Sequence, residues 1–308
     1  MRRVPTVEQH YKLCRPVVPP NRLEGGDQDD IRHMDTPVPI RLASSANHDV
    51  SHEDEAFVTM VGTDDFVIGA EVMFHSLREH SRIRRQHVVI VTPEVSPLRR
   101  KALQAAADQV IEVEPIPQRI RDGEVHVSQW AKVGYTSLRC WGLTEFKRIV
   151  YIDADTLILD CIDELFDLDT DFAAAPDVFP PDRFNAGVMV ITPSQSVMDD
   201  MLSKTNELHS HDGGDTGFLN SYYPDWYKGP ASARLTFGYN ALRTLYYSTH
   251  EKNPGYWEAI RPLKIIHYCS YPKPWETADK KGDLEMMWWQ KYIEMKTSAG
   301  VSLLNGNA

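Results

Sequence analysis

The stretch Arg148-Ile149-Val150-Tyr151-Ile152-Asp153-Ala154-Asp155-Thr156-Leu157-Ile158-Leu159 decides the fold. Four largely apolar residues, Ile149 to Ile152, run into two carboxylates and then into a second apolar run. A strand buried on both faces reads this way before its end reaches a cleft. On an extended backbone side chains alternate with period two, so Asp153 and Asp155 are expected on one side, close together. Carboxylates that close repel, and one would keep its proton unless a cation sits between them. A divalent metal, manganese or magnesium carrying a diphosphate, suits hard oxygen ligands at the carboxyl end of a parallel strand. An Asp-x-Asp triplet also occurs in ordinary turns, but two unpaired charges at the end of a buried strand would be costly. The later acids Asp160 and Asp163 need no more than a helix N-cap role.

With 308 residues, 42% hydrophobic and 25% charged, the chain has material for one large domain. A formal charge of −11 and a pI near 5.5 argue against non-specific binding to nucleic acid or anionic membranes. Arg82, Arg84 and Arg85, then Arg99, Arg100 and Lys101, read as ordinary solvated surface. Cys14, Cys140, Cys161 and Cys269 form no close pair, so reduced thiols are expected rather than a disulfide framework or zinc site. No apolar h-region follows Arg2 and Arg3, and no run approaches the ~20 apolar residues of a membrane helix. A cytoplasmic enzyme is expected. Residues 1-54, rich in Pro, Arg, Asp, Asn and His, read as a flexible N-terminal extension, and 55-308 as the catalytic domain.

Along the chain, 56-62 predicts a first strand, followed by Gly62-Thr63 and a helix from Phe66 to about His80. That turn is either a nucleotide seat with free N–H groups or an ordinary βα connection. Strands over 86-92 and 109-113 bracket a helix over 96-108, capped by Ser96 with Pro97 in its first turn. A helix over 128-146, with Trp130, Val133, Leu138, Trp141 and Leu143 on apolar positions, precedes the central strand. The alternation implies an α/β, Rossmann-like, mostly parallel sheet with helices on both faces, lacking a GxGxxG fingerprint. Strands over 172-176 and 184-191 follow. Phe184-Asn185-Ala186-Gly187 either leaves room for a close ligand or marks a bulge. A helix over 194-208 leads to Asp212-Gly213-Gly214-Asp215-Thr216, whose acids either cap the next helix or face a substrate. The last strand, 263-269, carries His267, a core residue or a ligand, six residues before Lys273. An amphipathic helix over 283-296 closes the domain.

With these pieces in order, the chain resembles glycogenin and its relatives among the family 8 retaining glycosyltransferases, over roughly residues 56-275. The resemblance is carried by Ala56 to Thr59, Cys140-Trp141 with Leu143-Thr144, Asp153-Ala154-Asp155, Phe184-Asn185-Ala186-Gly187, Asp212-Gly213-Gly214-Asp215, Tyr239-Asn240, and His267 with Lys273-Pro274-Trp275. It implies a GT-A fold and a manganese (or magnesium) ion held by Asp153, Asp155 and His267, bridging the diphosphate of UDP-galactose or UDP-glucose. It implies that Lys273 neutralises the leaving phosphate and that Met60, Gly62, Thr63 and Phe66 cradle the uridine. Ala154 and Ser270 join the donor site, and Asn185, Ala186, Asp212, Asp215 and Thr216 line the sugar. Asp215, Asp212 and Lys273 are the residues expected to carry catalysis.

Departures from the family's pattern gather around the sugar. Ser137 stands where relatives carry a donor-site Lys, for which Lys132 is a substitute; Thr216 replaces Gln, Ser270 replaces Gly and Phe66 replaces Tyr. Tyr247, seven residues after Asn240, falls where glycogenin's own acceptor would lie. The short carboxyl end leaves no glycogen-synthase-binding tail, so a separate glycan or glycoprotein acceptor and a homodimer are expected. The relatives expected first are the glycogenin-like cytoplasmic α-galactosyltransferases of protists. The alternatives are a self-glucosylating primer of glycogen and an inactive UDP-sugar-binding interaction protein.

Overall fold

The computed structural model describes residues 52–117, 133–178, 182–276 and 282–305. The extension expected over 1-54 lies outside them as far as residue 51. The first strand, β1 (His52–Val61), opens three residues ahead of the expected domain start. Then follow α1 (Val67–His80), β2 (Arg85–Val91), α2 (Pro97–Ala106), β3 (Gln109–Glu112), β4 (Arg148–Ile152), β5 (Thr156–Ile158), β6 (Phe172–Pro176) and β7 (Phe184–Ile191). The chain continues through α3 (Gln195–Lys204), α4 (Asp215–Tyr222), β8 (Ala241–Leu242), α5 (Arg243–Thr249), α6 (Pro254–Ala259), β9 (Ile265–His267) and α7 (Asp283–Asn305). Ser96 caps α2 by accepting from the Arg99 N–H, with Pro97 in the first turn, as its sequence predicts.

The main sheet has the order β3-β2-β1-β4-β7-β6. Its first four strands pair parallel, and β7 pairs antiparallel with both β4 and β6, so the mostly parallel sheet gains an antiparallel margin. Period-two alternation sorts its residues between two cores. Ala56, Val58, Val88, Ile90, Ile149 and Tyr151 pack on one face with Leu138, Trp141, Met201 and Phe218. Phe57, Val89, Val91, Val150 and Ile152 pack on the other with Val67, Met73, Phe74 and Leu103 of α1 and α2.

The second apolar run of the opening stretch is not a continuation of β4. After Asp153 the backbone turns, and β5 joins a smaller sheet of order β5-β9-β8. In it Thr156 lies opposite His267. The Asp-x-Asp residues therefore mark the point where the chain leaves one sheet for another, and that register brings the histidine to them.

Three expectations are corrected. Of the helix expected over 128-146, residues 128-132 lie outside the described residues, and the rest holds turns around a 3₁₀ run, Thr136–Gly142, with no α-helix. Thr136, Ser137, Leu138, Cys140 and Trp141 are all buried there, so the segment has no polar face for a 3.6-residue stripe to present. Arg85 is not solvated surface: it is 3% exposed. Its guanidinium donates to Glu55 Oε2 and Asp163 Oδ1, both at 2.7 Å, and lies 4.0 Å from the Phe166 ring centroid. Asp163 also accepts the backbone N–H groups of Arg82 and Ile83, so it fastens this corner and caps no helix. Arg85→Ala would remove the buried cation that bridges Glu55 and Asp163, leaving Glu55 with the more exposed Lys147 at 3.3 Å, and is expected to cost about 3–5 kcal/mol. Urea denaturation checks this; a loss below about 1 kcal/mol, typical of surface pairs, would contradict it.

Candidate active site

A cavity of about 600 Å³ opens at the carboxyl ends of β1 and β4. Its size falls within the roughly 300–1,000 Å³ of small-molecule sites. Met60, Gly62, Thr63 and Phe66 line one end, Asp153, Ala154, Asp155, His267 and Lys273 the floor, and Asn185, Asp212, Asp215 and Thr216 the far wall. Of the residues singled out in the sequence, Ala186 and Ser270 are absent from this lining. The Ala186 N–H donates to Thr216 Oγ1, and Ser270 Oγ is held by Arg243. Lys132 lies outside the described residues.

The floor is the one place among the described residues where three His, Cys, Asp or Glu ligand atoms come within 4.8 Å of one another: Asp153, Asp155 and His267. His267 Nε2 faces Asp155 Oδ1 at 3.3 Å and Asp153 Oδ2 at 3.6 Å. Its other nitrogen is fixed. Asn240 donates through Nδ2 to Asn185 Oδ1 at 2.8 Å, which turns its own Oδ1 to accept from His267 Nδ1–H at 2.8 Å. With Nδ1–H fixed in this way, Nε2 is the nitrogen turned toward the carboxylates; burial opposes a proton there, but the Asp155 and then the Asp153 charge raise its affinity for one, and a metal ion would take that proton's place. Two carboxylates and one imidazole are a donor set suited to manganese or magnesium.

Gly187 serves this ring. A Cβ there would sit 2.3 Å from His267 Cε1, so the room foreseen for a ligand beside Gly187 is filled by the histidine. Tyr151, on the same face of β4 as Asp153, donates to Asp153 Oδ1 at 2.8 Å. Neither Tyr151 nor the role of Asn240 carries a signal in a single sequence, because a buried phenol or amide reads as core or turn.

Electrostatics favour a cation. Burial, then the Asp155 charge, pushes the Asp153 carboxyl up to about 6. Asp155 is held well below the usual carboxylate range: burial opposes this, but His267 and Lys273 outweigh it. Lys273 is 2% exposed, donating to Asp155 Oδ2 at 2.5 Å and to the Tyr268 carbonyl at 2.9 Å. Its ammonium lies between the rings of Phe66 and Tyr271, 5.6 and 4.7 Å from their centroids. Asp65 and Glu276 add negative charge to the lining, and Lys273 is the only Lys or Arg among its described residues. A cation bound at the floor would offset this negative charge for an anionic ligand.

On the far wall, Asp212 Oδ1 accepts the N–H groups of Gly214 and Gly217, both at 2.9 Å, and so ties the glycine turn to the start of α4. Asp215 Oδ1 accepts its neighbour Thr216's N–H, and Oδ2 accepts from Ser137 Oγ at 2.5 Å. Ser137, where the sequence departs from the expected Lys, meets this carboxylate through its hydroxyl. Burial and then Asp153 push Asp215 up to about 7. Asn240→Ala, which frees the His267 ring, is expected to weaken manganese binding ~10–100-fold. Manganese titration of UDP binding checks this, and an unchanged midpoint would show that the ring is oriented by other contacts.

Comparison with known proteins agrees with this geometry. Glycogenin-1 of Mus musculus is 36% identical over 226 residues, 72% of this chain and 66% of that protein. Human glycogenin-2 is 37% identical over 241 residues, 77% of this chain and 46% of that protein. Inositol phosphorylceramide glucuronosyltransferase 1 of Arabidopsis thaliana is 32% identical over 267 residues, 80% and 45% respectively. The chain thus spans less than two thirds of the length of each. Among solved structures, glycosyltransferase GlyE of Streptococcus pneumoniae TIGR4 superposes with a TM-score of 0.59 at 20% identity, covering 82% of this chain and 64% of that one. Galactosyltransferase LgtC, solved with donor and acceptor sugar analogues, gives 0.56 at 16%, covering 78% and 95%. These two likenesses concern the GT-A-like fold. The sequence pattern defining glycosyl transferase family 8 matches residues 57–279, and the chain belongs to that family.

Proposed function

We propose that the protein is a manganese-dependent, retaining α-glycosyltransferase that moves galactose or glucose from a UDP-sugar to a hydroxyl of a separate glycan or glycoprotein acceptor. The observation that carries this reading is the convergence of Asp153, Asp155 and the Asn240-oriented His267 at the cavity floor, with Lys273 beside them. A divalent ion held there would supply positive charge to the diphosphate as UDP departs. Lys273 would take up charge on the leaving phosphate, and Phe66, with Met60, Gly62 and Thr63, would hold the base. Asp212 and Asp215 would face the sugar. The far wall offers carboxylates and no Lys or Arg among its described residues, which suits a neutral hexose better than a uronate. Asp215, raised toward 7 and hydrogen-bonded on both oxygens, is better suited to orienting sugar hydroxyls than to covalent attack. The acceptor hydroxyl then attacks from the face that UDP leaves.

Among the described residues no helix is long and apolar enough to cross a membrane, and Cys140, Cys161 and Cys269 are free thiols. A cytoplasmic homodimer, with residues 1-51 as an appendage, completes the proposal. Release of UDP from a panel of UDP-sugars with manganese, read beside intact-protein mass, tests it. Turnover of UDP-galactose or UDP-glucose without mass gain supports a transferase with an external acceptor. A ladder of hexose increments would mean self-glucosylation, and no turnover of any donor would mean a binding protein.

A further inference from the structure

The loop after β9 carries Lys273 to the cavity, yet it has almost no backbone ladder of its own. Pro272 and Pro274 contribute no N–H, so the loop's carbonyls must be satisfied from elsewhere. They are met by side chains. Arg243, the first residue of α5 and 5% exposed, donates through Nη1 to the Pro272 carbonyl at 3.0 Å and through Nη2 to the carbonyl and hydroxyl of Ser270. Trp289 of α7 donates to the Pro274 carbonyl at 2.8 Å. The Arg243 charge is in turn balanced by Glu285 Oε1 at 2.9 Å, in the first turn of α7.

Tyr247 closes this network. It lies on helix α5, one turn beyond Arg243, rather than in a strand or loop. Although 43% exposed, it has a fully engaged hydroxyl: it donates to Glu285 Oε2 and accepts the Leu284 N–H at 3.2 Å. The phenol thereby satisfies one of the orphan N–H groups at the start of α7. The fit depends on a glycine, because a Cβ on Gly282 would fall 2.1 Å from the Tyr247 oxygen. Burial and the Glu285 bond push its ionisation up, away from what a nucleophile needs.

We infer that Tyr247, acting through Glu285 and Arg243, is a positioning residue that braces the Lys273 loop, and that it is not the sugar acceptor. The inference rests on the transferase reading for its kinetic consequence but not for its structural one. Tyr247→Phe removes one hydrogen-bonding hydroxyl and keeps the ring. It is expected to lower kcat/KM for the UDP-sugar ~5–10-fold and to speed amide exchange over 268–276. Arg243→Lys, which keeps the charge but loses the fork to Ser270 and Pro272, is expected to cost more. In a Lys273→Met background the Tyr247→Phe defect should vanish, since the residue acts through Lys273; a general loss of packing would persist there. Exchange over 268–276 is read without turnover, so it tests the brace even if no donor is ever consumed. Unchanged exchange, a defect that persists undiminished beside Lys273→Met, or a hexose adduct on Tyr247 in the native protein would each overturn the inference.

Discussion

Asp155→Asn is expected to cut UDP-sugar turnover by at least ~10³ and to abolish manganese-dependent UDP binding, with the fold retained. The carboxylate is 6% exposed and both of its oxygens are committed, Oδ1 toward His267 Nε2 and Oδ2 to Lys273. Asn keeps the volume and leaves one carbonyl oxygen for the Lys273 ammonium, but it removes the charge that the metal and the lysine share. A thousandfold loss corresponds to about 4 kcal/mol of barrier, the scale set by removing a preorganised electrostatic contact. Asp155→Ala is the less clean variant, because it strands the buried lysine and risks several kcal/mol of stability. Circular dichroism and the thermal midpoint establish that the fold persists, and initial rates with saturating manganese give the effect. Turnover within tenfold of the native protein would remove Asp155 from the metal site.

The strand that decides the fold was legible because its cause is local. Ile149 to Ile152 are apolar on both faces, and the two cores they divide are packed by helices whose apolar positions are equally readable. The Asp-x-Asp pair was legible for the same reason, as charge placed where a buried strand stops. What single-sequence reading could not supply is the turn at Ala154 and the switch to a second sheet, because the register Thr156 to His267 pairs residues more than a hundred positions apart. The resemblance supplied His267, but the amide chain that aims it, from Asn185 through Asn240, is visible only in three dimensions. Arg85 shows the same limit in reverse. Three arginines within four positions read as surface, and nothing local reveals that one of them meets Glu55 and Asp163 across the fold. The helix expected over 128-146 is not formed over 136–142, where burial of Thr136, Ser137, Leu138, Cys140 and Trp141 leaves little of the periodicity that separates an α-helix from a tighter turn. Phe184 to Gly187 reads either as room for a ligand or as a bulge; the β6–β7 register does shift there, and the space beside Gly187 is taken by His267.

Lys273→Met is expected to move two measurements in opposite directions: turnover falls ~10²–10³-fold, while manganese binding in the absence of nucleotide becomes tighter. The ammonium stands on Asp155 Oδ2, a carboxylate that a metal held with Asp153 and His267 would use, so in the nucleotide-free protein lysine and metal would compete for one negative charge. Methionine fills the same slot between Phe66 and Tyr271 with an unbranched, uncharged side chain, which removes the competitor without opening a hole. With a diphosphate bound, the charge balance would reverse: the phosphate oxygens would need the ammonium, and its loss would leave the leaving group with less stabilisation as the bond to the sugar breaks. A residue that merely filled space would change neither quantity much. One that only supported the fold would weaken both. Calorimetric titration with manganese alone, beside initial rates at saturating UDP-sugar, separates these cases, and weaker metal binding in Lys273→Met would show that the lysine preorganises Asp155 rather than opposing the ion.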